Sequence, residues 1–227
     1  MSTENKSLLY AMQICDSLFP IGSYTLSNGL ETYVQKNIIT TPEHLEEYLT
    51  SYISILPYNE LGVCALSYNA SAEEVKYLDS LYNASKSPFE VRTGSQRIAK
   101  RFLKASDNLF TECHKTKAYK TLVENGECKG HQCVAYGLYF SDCNLPLIQG
   151  LCAYAYSLCS AIVTNCVKLV PLSQLAGQKI LASAIEKITL SAEKALAITH
   201  EQIGVNGYGF DVRAMEHEKL YSRQYMS

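Results

Sequence analysis

Asn144-Leu-Pro-Leu-Ile-Gln-Gly-Leu-Cys-Ala-Tyr-Ala-Tyr-Ser-Leu-Cys-Ser-Ala-Ile-Val-Thr-Asn-Cys-Val167 decides the fold, and it carries no formally charged residue. Leu147, Leu151, Tyr154, Leu158 and Ile162 recur at helical spacing, while Ala153, Ala155, Ala161 and Val163 make the other sides apolar as well. Such a helix is wrapped either by protein or by lipid. Gln149, Ser157, Ser160, Thr164 and Asn165 lie inside it, and no second apolar segment of comparable length exists. The reading is therefore a buried pillar with no membrane contact. It ends abruptly at Lys168-Leu169-Val170-Pro171, leaving a lysine at the exit.

Outward from this pillar, helix signals follow one another. Thr41-Pro42-Glu43 combines an N-cap, a proline at the first helical position and an acid facing the dipole. Leu45, Tyr48, Leu49, Tyr52, Ile53 and Leu56 then form one apolar face. Asn28-Gly29-Leu30-Glu31 fits a capping-box variant, and Ser71-Ala72-Glu73-Glu74 is a clean one. Phe89 to Lys104 reads as a helix with Ile98 and Phe102 inward and Arg97, Arg101 and Lys104 on a solvated face. Asp107 to Glu124 reads as one further helix. After Pro171 comes a stripe of Leu181, Ile185, Ile188, Ala192 and Leu196. No segment alternates with period two long enough for a sheet. The expectation is all-α: a single domain over 1–203, with nine to eleven helices around one buried central helix. Gly204, Gly207 and Gly209 hinge a tail, 204–227, whose Tyr221, Tyr225 and Met226 have few sequence neighbours to cover them. Such a segment orders on partner binding.

The chain of 227 residues has 20 basic and 22 acidic side chains, a formal charge of −2. That balance argues against nucleic-acid binding. Met1 to Lys6 shows no secretory pattern, and nine cysteines then imply reduced thiols in the cytoplasm. Cys152, Cys159 and Cys166 recur every seven residues, too far apart along a helix to chelate one ion, and read as packing. Cys113, His114, Cys128, His131 and Cys133 offer a possible zinc or nickel site, the basis of an alternative reading as a metal-binding chaperone. A thiol hydrolase is a weaker alternative, because no Cys-His pair has a third orienting group. No phosphate-binding glycine loop is present. With no assembled acid, base, nucleophile or cofactor motif, the chain reads as a binding protein and not an enzyme.

Three stretches in order resemble the UreF family of urease accessory proteins. They are Asp16-Ser-Leu-Phe-Pro-Ile-Gly-Ser-Tyr-Thr-Leu-Ser-Asn-Gly-Leu-Glu31, then Val167-Lys-Leu-Val-Pro-Leu-Ser-Gln174 with Gly177-Gln178, then Met215-Glu-His-Glu-Lys-Leu-Tyr-Ser-Arg-Gln-Tyr-Met-Ser227. The resemblance covers essentially the whole chain. It implies a cytoplasmic homodimer that bridges the accessory protein UreD (UreH in some organisms) to the GTPase UreG, promoting nickel insertion into apo-urease. Tyr24 matches the signature aromatic, Lys168 the lysine before the Val-Pro-Leu turn, and Arg223 the arginine of the terminal Ser-Arg. The resemblance places these on the surface that receives the GTPase, and Tyr221 joins them as a partner-binding candidate. Gln224 stands where the family usually has leucine.

Overall fold

The computed structural model describes residues 3–110, 112–205 and 207–227. Among them the all-α expectation holds: there are helices and three short 3-10 turns, and no strand. The helices are α1 (Thr3–Cys15), α2 (Leu30–Gln35), α3 (Pro42–Ile55), α4 (Glu60–Ser67), α5 (Ala72–Ser85), α6 (Phe89–Leu109), α7 (His114–Glu124), α8 (Gln132–Asp142), α9 (Leu147–Leu169), α10 (Gln174–Ser183), α11 (Ile185–Ala195) and α12 (Tyr208–His217). Only Ala184 separates α10 from α11.

The local signals act where their chemistry allows. Thr41 caps α3 by accepting from the His44 amide, and Ser71 and Glu74 close a reciprocal capping box on α5. Asp107 behaves differently from its expected place at a helix start. It lies in the last turn of α6, the chain breaks at Phe110, and α7 begins at His114. The cap of α7 comes from far along the chain: the Asp142 carboxylate accepts the amides of Lys115 and Thr116 at 3.0 and 2.9 Å. A carboxylate against those orphan N–H groups satisfies the helix start. Helix α10 starts three residues beyond Pro171, capped by Ser173. In the α10–α11 stripe Leu181, Ile188 and Ala192 are buried, while Ile185 and Leu196 are exposed. The one-residue break at Ala184 resets the helical phase, which is why a single stripe cannot serve both helices.

Helix α9 is the hub. It packs against α1, α2, α3, α4, α8, α10 and α11. It is the one helix among the described residues long and apolar enough to cross a membrane, with a mean hydropathy of 1.5, and its inner side is taken up by these neighbours. Its wrapping is incomplete, however. Leu151, Tyr154, Cys159, Ile162 and Cys166 face inward, whereas Gln149, Tyr156, Thr164 and Lys168 remain exposed. The helix buried on every side is α8, where all residues from Gln132 to Phe140 are inaccessible. Tyr136, Tyr139 and Phe140 form an aromatic cluster there with Phe102, Phe110 and Tyr154.

The segment 204–227 lies against the domain. Helix α12 packs on α2 and α6. Gly29, with φ 85°, opens α2 where α12 passes, and a Cβ there would meet the Ala214 amide nitrogen at 2.9 Å. Only glycine combines that backbone conformation with so close an approach.

Candidate functional site

The loop holding Tyr24 is a 3-10 turn at Ser23–Thr25, entered through the left-handed Gly22. Tyr24 itself is about half exposed, at 47%. The loop is held from below by α6, whose Arg101 donates to the Ile21 carbonyl at 3.2 Å. It is held from the side by α9, whose buried Asn165 donates to the Leu26 carbonyl at 3.1 Å. The final residues complete the arrangement. The Met226 amide donates to the Thr25 carbonyl at 2.8 Å, the Ser27 amide donates to the Ser227 carbonyl at 2.9 Å, and the Ser27 hydroxyl bonds the same carbonyl. The Tyr225 hydroxyl reaches the Asn165 carbonyl at 3.5 Å.

Three distant stretches therefore meet around Asn165. Lys168 lies one turn further along α9, exposed in the last turn. Tyr24 lies two residues before Leu26, and Arg223 two residues before Tyr225. Tyr221 stands fully exposed in the bend after α12.

Beneath Arg223 is a charged group that sequence reasoning missed. Glu31, expected to reach back and cap its own helix, is instead buried and turned toward the C-terminal segment. Its carboxylate accepts from His217 Nε2 at 3.0 Å and from the amides of Gln224 and Tyr225 at 2.9 and 3.1 Å. The capping-box expectation fails because Asn28 is itself left-handed, with φ 52°, and its side chain donates to the Tyr52 hydroxyl. The other ring nitrogen of His217, Nδ1, faces Glu90 at 2.6 Å, and Arg223 pairs with the same Glu90 at 2.6 Å. His217 is wholly inaccessible. Each ring nitrogen faces a carboxylate oxygen, so the imidazole links Glu31 to Glu90, which Arg223 also holds. Arg97, read from sequence as solvated, reaches the Met226 sulfur at 3.9 Å, so this face of α6 is partly occupied by the tail.

The five residues of the metal reading are not gathered. Among the described residues no group of three or more His, Cys, Asp or Glu side chains could hold a metal ion. His131 is buried on Ser95 and Asn83, and burial pushes it down to about 4. His114 is exposed, and the Cys113 thiol is engaged with Cys143. Burial pushes Cys128 up to about 12, as it does Cys159 and Cys166. Such thiols stay protonated and are poor ligands or nucleophiles.

Comparisons with known proteins bear on the family of the chain. The UreF family model matches residues 39–185. A urease accessory protein UreF of Streptococcus salivarius (strain 57.I) is 30% identical over 224 residues, covering 96% of this chain and 94% of the relative. The chain belongs to the UreF family. UreF proteins of Actinobacillus pleuropneumoniae serotype 5b (strain L20) and of Haemophilus influenzae are each 32% identical, covering 95% of this chain and 97% and 94% of their own lengths. As a UreF protein the chain is a urease accessory factor. The core that carries the family match, α3 to α10, is flanked by the two stretches that close on Asn165 from outside it.

Proposed function

We propose that this UreF protein is a non-enzymatic scaffold of urease maturation, acting in the cytoplasm as a homodimer that bridges UreD/UreH to the GTPase UreG and promotes nickel insertion into apo-urease. The observation that carries this reading is the meeting of the Tyr24 loop, the Lys168 end of α9 and the Arg223 segment around Asn165. An aromatic and two cations held on rigid supports suit recognition of an acidic, nucleotide-bearing partner. Helix α12 supports a second contact: Tyr208, Val212 and Met215 lie at i, i+4 and i+7 and are all exposed, an apolar stripe available to the UreD/UreH scaffold along with Tyr221. In this reading the scaffold partner orders the segment 204–227.

The homodimer reading is supported by the open face of α9. A groove of about 550 Å³ runs between α1, α9 and α11, and Met12, Tyr156 and Ile185 along it are all exposed. Co-purification of UreG with the UreF–UreD complex tests the assignment of residues. Lys168→Ala and Arg223→Ala are expected to keep fold and dimer while losing UreG and urease activation. Undiminished capture and activation in both variants would refute it.

A further inference from the structure

The final residues are fixed in large part through their backbone. The amides of Gln224 and Tyr225 end on Glu31, and the Met226 amide and Ser227 carbonyl pair with Thr25 and Ser27. Backbone fixation is indifferent to side-chain identity, which is how the unusual Gln224 is accommodated. The amides of Gln224 and Tyr225 depend on an acceptor at Glu31, whose buried carboxylate also meets His217 Nε2. His217 sets one ring nitrogen against this carboxylate and passes the link on through the other to Glu90 and Arg223.

We infer that Glu31 and His217 are positioning residues: a buried latch that holds residues 223–227 against the 24–27 loop, so that Tyr24 and Arg223 belong to one surface. The role of that surface in receiving the GTPase rests on the function proposed above; the latch itself does not. Glu31→Gln tests it with little change of shape. The amide keeps one acceptor oxygen for three donors and turns its own N–H₂ toward them.

Hydrogen exchange on the full-length protein is expected to show the amides of 224–227 exchanging at least about tenfold faster in Glu31→Gln, while those of α8 stay as slow as before. Trypsin should cut after Arg223 sooner, and UreG capture should fall as far as in Arg223→Ala. His217→Gln should give the same pattern, and the double variant no further loss, because the two residues act as one unit. Unchanged exchange at 224–227 overturns the inference. So does a uniform rise that includes α8, which would assign Glu31 to core stability alone. Should Glu31→Gln fail to fold, Glu90→Gln at the rim of the group carries the same expectation and the same refutations. Exchange needs no partner. Full capture by both Lys168→Ala and Arg223→Ala would therefore refute the proposed assignment of residues and leave the latch to be judged on exchange.

Discussion

The Asn165 side chain donates to the Leu26 carbonyl from inside α9, at 3.1 Å, and so ties the signature loop to the central helix one turn before Lys168. Asn165 is wholly buried, and its side-chain oxygen, Oδ1, has no partner among the described residues. A residue that tolerates an unmatched polar atom to make one long-range bond has a positional role. Asn165→Ala is expected to cost about 1–2 kcal/mol in urea unfolding. It should also loosen the Tyr24 loop, read as faster exchange of the Leu26 and Ser27 amides. Equal stability and an unchanged loop would remove Asn165 from the site.

Helices α4 and α8 approach through Gly137, where a Cβ would overlap the Cys64 carbonyl and meet the Ser67 side chain at 2.9 Å. Neither neighbour can retreat, since both belong to a packed helix. Gly137→Ala is expected to destabilise by about 1–3 kcal/mol despite the better helix propensity of alanine. Thermal unfolding of the variant measures this directly, and a gain in Tm would show that the helix pair can separate.

His131 provides a pH signature. Burial holds it down to about 4, whereas the unfolded chain takes up the proton near the ordinary value of 6.5. Between these values the unfolded state binds more protons than the folded one, so stability falls as pH falls from 6.5 to 4 and is undiminished above 6.5. The loss is about 3 kcal/mol over that window. Urea midpoints across it should fall less steeply in His131→Gln than in the parent. Identical slopes would show that other groups govern the acid limb.

The groove between α1, α9 and α11 makes oligomeric state testable. Tyr156→Glu places a charge on the exposed apolar face without touching the buried side of α9. Sedimentation should show the variant as a monomer with parental helix content. A dimer that survives the substitution would move the interface elsewhere.

Most of the fold could be read from local chemistry. The caps at Thr41 and Ser71 and the apolar face from Leu45 to Ile53 are properties of neighbouring residues. The break at Phe110 was hidden because the cap of α7 is Asp142, 26 residues beyond Thr116. The latch was hidden for the same reason at greater range. Glu31 and His217 are 186 residues apart, and Glu31 sits where a capping acid would sit, so a local explanation was available and misleading. The resemblance named Tyr24, Lys168 and Arg223, but the residues that bring them together are buried polar groups, which carry no periodic signal. Their one trace is position: Glu31 closes the first motif, and His217 lies within the last.

Tyr156 and Lys168 belong to the same unbroken helix, twelve residues apart. At the rise of an α-helix that is about 18 Å along the axis. Helix α9 thus acts as a ruler between the groove at one station and the meeting point at the other. Whatever seats in the groove and whatever docks beside Lys168 are held at a fixed offset and rotation. A single inserted residue in the exposed face of α9 would swing Lys168 by about 100° around that axis, leaving each surface intact but misaligned with the other.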